Sequence, residues 1–563
     1  MEWHAEVREL TERLMRVGAV SPSADELAVA AVIHALLVAE GTEYASVGLD
    51  PLPGDPYGRA NVHALVRGQR AETIVLLGHF DTVGTEDYGP LEPWATDPTA
   101  LAARVDELAA HAPEMAGDLA AHPGDWLFGR GAVDMKSGVA VNLALIRRLA
   151  AETAGGRPPA LSVLFLATPD EENESAGALA AVELLARLGA AHGLRYLGAL
   201  NTDYTAAEHP GDPHRYVYTG TVGKLLPTCL VIGAESHVGQ PYEGLDAALL
   251  AAELARDLSM DDTLADRAHG QVAPPPVLLR AGDLKERYDV QLPFAAYLCL
   301  NVLTLASDPA ALLERLRARA EAALARALAR VDASETRWLA AAGRPPRTAA
   351  PRTGAVLALA EVRAAAERQL GAAASAADLA TTSAALPPVL DTQQRAVRLA
   401  QRLWRQSGLR GPALIWLFAP PYYPHVPAQP GPLLDAVRAV IAAHPEQRLI
   451  EREFYPYISD MSYIGQAEVT DTAALTRNMP LWHAPGTPAE PGSYTLPLEA
   501  MRAVGMPVVN FGPYGAGAHR AGERVLMSYS FDVLPRLLWE VIARAGEAAP
   551  GAGAALERTA AGE

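Results

Sequence analysis

One stretch, residues 73–81 with the sequence TIVLLGHFD, constrains the fold of this chain more than any other. Its first five residues are apolar or β-branched, which predicts a strand buried on both faces of a sheet. His79 and Asp81 follow just past the predicted strand end. Because ligands of open α/β sheets bind at the carboxyl ends of strands, an imidazole beside an orienting carboxylate suits a metal site there. Taken alone, the pair could equally be a hydrogen-bonded loop histidine.

Acidic residues occur at the ends of further predicted elements. Asp134 precedes a helix predicted over 139–151, and Asp203 follows a strand predicted over 196–200. A carboxylate before a helix is also favoured by the helix N-terminus, so Asp134 alone could be an N-cap.

Two adjacent acids, Glu171 and Glu172, follow the strand predicted over 161–167. Neighbouring carboxylates repel one another, so placing both at a buried strand end is costly without a cation. A solvated loop is the alternative interpretation.

A late loop rich in glycine follows a strand predicted over 507–511. Glycines at 512, 515 and 517 let this loop approach a ligand closely, and His519 is its only imidazole.

The pattern of elements divides the chain. Residues 219–345 read as a β-α-β-β-α unit without acidic strand ends, which predicts an inserted α+β domain. Residues 1–218 and 346–547 are then the two parts of a catalytic α/β domain, and 548–563 are predicted to be disordered. The unusually long segments 84–128 and 332–410 have no role assigned by pattern.

Composition excludes several classes of function. The 563 residues carry a net charge of −19, which argues against nucleic acid and anionic membrane surfaces as partners. Cys229 and Cys299 lie in apolar runs and are expected to be buried, reduced thiols. No signal core or membrane-spanning run is present, which predicts a cytoplasmic protein.

The motifs together resemble one family of enzymes. The series HFD, GRGAVDMKSG, PDEE, an acid about thirty residues later and a late glycine-loop histidine is similar to the co-catalytic zinc hydrolases of metallopeptidase clan MH. That group includes the ArgE/DapE, aminoacylase and glutamate carboxypeptidase enzymes. The segments HFDTVGTEDYG, ISDMSY and NFGPYGAGAHRAGERV resemble its arginine-utilisation, RocB-type branch.

The resemblance implies a role for each candidate residue. His79 would bind one metal and Asp134 would bridge two, while Glu172 and His519 complete the first metal and Asp203 the second. Asp81 would orient His79, and Glu171 would be the general base. The ligand types suit Zn²⁺ first, with Co²⁺ or Mn²⁺ as alternatives. The family also implies a cis peptide between Asp134 and Met135.

The resemblance further implies a fold and an assembly. The fold would be α/β, a zinc-peptidase-like catalytic domain with a mixed, largely parallel sheet flanked by helices, plus an inserted α+β lid or dimerisation domain. His237, in the segment SHVGQPYEGLDA, matches the lid histidine that stabilises an oxyanion, in several members from across a homodimer. As a lone loop histidine it would have no such role.

The expected function is metal-dependent hydrolysis of an amide or peptide C–N bond. The substrate would be a small N-acyl amino acid or short peptide, in arginine or other amino-acid catabolism. The alternatives are a dipeptidase or carboxypeptidase, and a non-catalytic, metal-stabilised binding protein of the same fold. The presence of Glu171 beside every ligand favours catalysis.

Overall fold

The computed structural model describes residues 3–38, 42–348, 350–465, 472–484 and 493–548. The chain divides into two compact units. The first unit comprises Met1–Thr221, Val426–Ala467 and Pro497–Glu563, and the second comprises Val222–His425 and Glu468–Leu496. The segment 548–563, predicted to be disordered, lies outside the described residues apart from residue 548.

The strands are, in chain order, β1 (Ser46–Pro51), β2 (Ala60–Val66), β3 (Arg70–His79), β4 (Trp126–Phe128), β5 (Leu161–Thr168), β6 (Arg195–Asn201), β7 (Arg215–Thr221), β8 (Gly223–Ile232), β9 (Arg267–Ala268), β10 (Gln271–Val272), β11 (Val277–Asp283), β12 (Ala295–Thr304), β13 (Ala355–Ala358), β14 (Ala413–Tyr423), β15 (Leu449–Tyr455), β16 (Val508–Asn510), β17 (Gly515–Ala516) and β18 (Arg524–Leu526).

The α-helices are, in chain order, α1 (Trp3–Met15), α2 (Asp25–Leu37), α3 (Pro98–Ala102), α4 (Val105–His111), α5 (Ala116–Ala121), α6 (Lys136–Ala154), α7 (Ala176–His192), α8 (Ala247–Leu258), α9 (Pro309–Ala341), α10 (Leu359–Leu370), α11 (Ala372–Ala385), α12 (Thr392–Ser407), α13 (Pro432–Ala443), α14 (Met461–Ile464), α15 (Thr472–Arg477), α16 (Leu498–Val504) and α17 (Leu534–Ala548).

The first unit is built on a mixed sheet with the strand order β1-β2-β5-β3-β6-β16-β7-β15. Its central strands β5, β3, β6 and β16 are parallel, and β1, β2 and β7 introduce antiparallel pairs. In β3, Ile74 and Leu76 face the core that contains α1, α6 and α17, while Val75 and Leu77 are equally buried on the other face. Cover on both faces explains the continuous apolar run, and the predicted α/β fold class is confirmed.

The second unit is built on a separate sheet with the strand order β11-β12-β8-β14-β13. All its pairs are antiparallel except β13 with β14. Helices α8 and α9 pack against strands of this sheet, and α10, α11 and α12 pack on one another. Cys229 and Cys299 are buried free thiols in β8 and β12, as predicted.

The boundary predicted at residue 345 differs from this division. The structure groups residues 346–425 with the second unit because β14, buried along its whole length, pairs with β8 in the middle of that sheet. Residues 346–425, predicted to belong to the catalytic domain, therefore lie in the second unit. The sequence could not show this, since an apolar run predicts a strand but does not indicate which strand it pairs with.

The segment 84–128 forms a cap of short elements within the first unit. It contains the short helices α3 and α4, and β4 joins a small sheet with β17 and β18. Of the helices in the described ranges, none has the length and apolarity needed to span a membrane.

Candidate active site

Five of the predicted residues meet at one edge of the first sheet. His79 is the last residue of β3 and Asp81 follows it, Glu171 and Glu172 lie just after β5, and Asp203 comes two residues after β6. Strands β5, β3 and β6 are adjacent and parallel, so their carboxyl ends bring these side chains together.

Asp134 and His519 reach the same edge from two loops. Asp134 lies in the turn between β4 and α6, and the Asp134–Met135 peptide is cis, as the resemblance implied. Asp134 is not an N-cap, because Met135 occupies that position and no side chain caps the helix. His519 lies between β17 and β18 with a φ of 61°.

The two histidines lie on opposite oxygens of Asp134. His79 Nε2 is 3.3 Å from Asp134 Oδ1, and His519 Nε2 is 3.2 Å from Asp134 Oδ2. His519 Nε2 is also 3.0 Å from Glu172 Oε1. A carboxylate approached by an imidazole on each side has the arrangement of a bridging ligand.

The loop that carries His519 passes close to the end of β6. A Cβ atom added to Gly512 would lie 1.8 Å from the carbonyl oxygen of Asp203, so this approach requires glycine. The interpretation of this loop as one that can approach closely is consistent with that contact.

Asp81 fixes the loop that follows β5. Its Oδ1 and Oδ2 accept the backbone N–H groups of Glu171 and Glu172 at 3.2 and 3.1 Å. Its Oδ1 also lies 3.4 Å from His79 Nδ1. A single buried carboxylate therefore holds both neighbouring acids in place and faces the imidazole from behind.

The electrostatics of the cluster show how costly its charges are. Burial raises the pKa of Glu171 and Glu172, and burial together with Asp134 raises the pKa of Asp203 to about 8. Hydrogen bonds to Asp134 and Glu172 raise the pKa of His519 to about 11. Carboxylates kept this close require positive charge.

The donor set fits a divalent metal ion. His79, Asp134 and Glu172 each offer one ligand atom, and these atoms lie within 4.8 Å of one another. Both ring nitrogens of His79 and Oε1 of Glu171 are buried without a hydrogen-bond partner among the described residues. Imidazole and carboxylate donors are the ligands of Zn²⁺, Co²⁺ and Mn²⁺ sites.

A buried ionic network behind the cluster was not predicted. Arg59 donates hydrogen bonds to Asp55, Glu26 and Asp170, and its side chain is only 5% exposed. Asp170 directly precedes Glu171, and its backbone N–H donates to Glu26 at 2.8 Å. Arg59 lies far from the motifs in sequence, so no local spacing could identify it.

A further buried acid, Asp460, also lies close by. Thr168, which pairs with His79 across β3 and β5, donates its hydroxyl to Asp460 Oδ2 at 2.6 Å. Burial raises the pKa of Asp460 to about 6. The segment ISDMSY, which contains Asp460, resembles the RocB-type branch, but the sequence assigns no role to Asp460.

His237 belongs to the second unit, unlike the other predicted site residues. It is exposed, and its Nδ1 accepts a hydrogen bond from the backbone N–H of Gly239 at 3.0 Å. This is the local turn expected of a loop histidine, and the assigned role in oxyanion stabilisation stays a prediction.

Comparison with known families identifies the chain. The sequence profile of Peptidase family M20/M25/M40 matches residues 75–487. The protein is a member of this peptidase family. The resemblance drawn from the motifs is thus confirmed, and this M20 protein is a metal-dependent hydrolase of amide bonds. His519 lies beyond the matched residues.

Relatives in bacteria support the same assignment. The M20 protein is 31% identical to protein YqjN of Bacillus subtilis over 547 residues, covering 96% of both chains. It is 30% identical to protein RocB of the same organism over 502 residues, covering 86% of this chain and 85% of RocB. It is also 30% identical to succinyl-diaminopimelate desuccinylase of Leptothrix cholodnii over 260 residues, covering 46% and 58%.

Solved structures share the fold. A tripeptidase from Staphylococcus aureus matches with a TM-score of 0.52 at 13% identity, covering 97% of this chain and 99% of the other. The di-peptidase Dug1p of Saccharomyces cerevisiae matches with a TM-score of 0.50 at 11% identity, covering 98% and 99%.

Proposed function

We propose that the protein uses two divalent metal ions to hydrolyse the amide bond of a small N-acyl amino acid or a short peptide. Zn²⁺ is the first candidate for these ions. The observation that carries the proposal is the convergence of two imidazoles and five carboxylates at the carboxyl ends of β5, β3 and β6. M20 membership is consistent with this chemistry.

The positions of the side chains support the ligand assignment that the resemblance implies. Asp134 would be the bridging ligand, because His79 and His519 lie on its two oxygens. Glu172 joins His519 on one side, at 3.0 Å. Asp203, at the end of β6, would serve the other metal ion together with His79, which differs from the expectation that His79 shares its metal with Glu172 and His519. Bound divalent ions supply Lewis-acid polarisation of the scissile carbonyl and make water acidic enough to ionise near neutral pH.

Glu171 is the general base in this proposal. Its Oε2 lies 3.8 Å from His79 Nε2, and its Oε1 is buried without a hydrogen-bond partner among the described residues. A carboxylate at this position can take a proton from the attacking water and pass it to the leaving nitrogen. Asp81 holds the backbone at Glu171 in place during this transfer.

Two observations support the substrate class. A desuccinylase that acts on an N-succinyl amino acid is similar over almost half of this chain, which favours an N-acyl amino acid. The peptidase family as a whole favours a dipeptide as the second candidate. A role in arginine catabolism stays a prediction.

A hydrolysis screen tests the proposal. The purified chain, loaded with Zn²⁺ or Co²⁺, is offered N-acetyl, N-succinyl and N-formyl amino acids beside a set of dipeptides, and release of the free amine is measured. We expect turnover of at least one N-acyl amino acid that is lost in Glu171→Gln. Turnover of dipeptides alone would favour the second candidate, and no turnover by the metal-loaded chain on either set contradicts the proposal.

A further inference from the structure

We propose that Arg130 and Glu523 form a clamp that fixes the distance between the His519 loop and Asp134, and so act as positioning residues for the metal centre. The inference rests on the proposed function, which makes Asp134 and His519 metal ligands. Arg130 and Glu523 bind none of the predicted metals themselves.

Glu523 grips the turn that carries Asp134. Its Oε1 accepts the backbone N–H groups of Val133 and Asp134 at 3.1 and 3.2 Å, and its backbone carbonyl accepts the N–H of Gly129 at 3.1 Å. The side chain of Glu523 is fully buried. One carboxylate therefore sets where the backbone of Asp134 lies.

The same residue anchors the His519 loop. Glu523 follows His519 by four residues, and its N–H donates to the carbonyl of Arg520 at 3.0 Å. Arg524, the next residue, begins β18 and pairs with Phe128 of β4. A shift of Glu523 would move the base of the His519 loop relative to Asp134. It would thereby disturb the contact of 3.2 Å between His519 Nε2 and Asp134 Oδ2.

Arg130 holds the other oxygen of Glu523. Its Nη1 donates to Glu523 Oε2 at 2.8 Å, its Nη2 donates to Asp87 at 2.7 Å, and its Nε donates to the carbonyl of Gly84 at 2.9 Å. The guanidinium is 2% exposed and is therefore locked in one orientation. Gly84 and Asp87 lie at the start of the long segment 84–128. The role of that segment in this proposal is to orient the guanidinium of Arg130 toward Glu523.

Loss of the clamp should appear as loss of metal affinity. Residues that orient ligands typically contribute about 10–100-fold to metal affinity, because ligands must be held within a fraction of an ångström. Glu523→Gln keeps the shape of the side chain but removes the charge that Arg130 binds. Arg130→Met removes every donor, and Arg130→Lys keeps the charge with a single attachment point.

The experiment is a Co²⁺ titration of the full-length chain after removal of metal by chelation, followed by visible absorption. We expect affinity to fall about 10–100-fold in Glu523→Gln and in Arg130→Met, with partial rescue in Arg130→Lys. Asp118→Asn is the matched control, because Asp118 binds the neighbouring Arg524 and contacts neither member of the clamp. Its affinity should equal that of the wild type.

The outcomes separate the clamp from the proposed function. Wild-type affinity in folded Glu523→Gln and Arg130→Met overturns the clamp and leaves the proposed function standing. A wild-type chain that binds no Co²⁺ overturns both. If Arg130→Met does not fold, Asp87→Ala carries the test, since Asp87 is 37% exposed and its loss releases one bond of the guanidinium. Weaker Co²⁺ binding by that variant supports the clamp, and unchanged binding overturns it.

Discussion

At the scale of the residue, Glu171 and Glu172 are adjacent in sequence but differ in their partners. Glu172 contacts His519, whereas Glu171 leaves a buried oxygen without a partner among the described residues. Asp81 accepts both of their backbone N–H groups and so keeps them from exchanging places. This difference predicts that the two acids respond differently to the same substitution.

Glu171→Gln should keep metal content and fold but lower kcat by about 10²–10⁴-fold, because proton transfer fails while coordination remains. Elemental analysis and turnover of the best substrate measure the two effects. Glu183→Gln, an exposed position on α7, is the control and should retain full activity. A rate close to that of the wild type in Glu171→Gln would show that another group is the base.

His519→Ala should act differently, by weakening metal binding before it affects proton transfer. The imidazole contacts both Asp134 and Glu172, so its removal takes a positive neighbour from both carboxylates, while Asp134 keeps the imidazole of His79. We expect at most one divalent ion per chain by elemental analysis after dialysis. Two ions retained as in the wild type would remove His519 from the ligand set.

At the scale of the element, a single arginine joins α2, the loop before β2 and the loop that carries the acids. Arg59 binds Glu26, Asp55 and Asp170. Breaking a buried ion pair by removing one partner typically costs about 3–5 kcal/mol. Burial raises the pKa of Glu26 to about 7. Glu26 would therefore be the acid most affected by the loss of the Arg59 guanidinium.

Arg59→Met should therefore lower the free energy of unfolding by about 3–5 kcal/mol, measured by urea denaturation. Arg187→Met is the matched control, since Arg187 is 68% exposed and contacts Asp50 at 3.4 Å. The control should change stability by less than about 1 kcal/mol. Equal stability of the two variants would contradict a stabilising role for the Arg59 network.

The end of α13 offers a pH-dependent contact with α17. His444 Nε2 lies 2.8 Å from Glu540 Oε2, and this contact raises the pKa of His444 above its usual value. A raised histidine pKa contributes stability that is fully present below the unfolded value of about 6.5 and is lost as pH rises through the folded value.

We expect His444→Gln to be less stable than the wild type by at most about 1 kcal/mol at pH 5.5, because the pair is partly exposed. The difference should vanish at pH 9. Urea denaturation at the two pH values measures it, and a difference that grows with pH would contradict the assignment.

Sequence patterns predicted elements better than their partners. The apolar runs of β3 and β5 and the acids after them were predicted, since burial on both faces and the strand end leave a local signature. The assignment of residues 346–425 to the catalytic domain differs from the division of the structure, because a strand buried along its length, such as β14, carries no mark of the sheet it joins. Arg130 and Glu523 lie in recognised motifs, yet a contact between residues so distant in sequence is decided by the fold alone.

At the scale of the whole molecule, the open question is the role of His237 in the second unit. The resemblance assigns it to the oxyanion, and an aimed donor of that kind typically contributes about 10²–10³-fold in rate. His237→Ala should lower kcat by that factor with unchanged metal content. Full activity of this variant would show that His237 is a loop histidine without a role in oxyanion stabilisation.

Mixing variants tests whether the imidazole comes from a second copy of the chain. If it does, His237→Ala mixed with Glu171→Gln should recover part of the activity, because one site of a mixed dimer then has both residues intact. Recovery requires that subunits exchange, which labelled chains can verify. No recovery under exchange would indicate that each chain acts on its own.

The position of β16 has a consequence for synthesis of the chain. This short strand lies between β6 and β7, yet it is made roughly 290 residues after β7, a delay of about 15–60 s at ordinary translation rates. Throughout that time the facing edges of β6 and β7 are unpaired, and unpaired strand edges are templates for aggregation. Until its last strands leave the ribosome, a nascent chain of this protein therefore presents two strand edges to which another chain could pair.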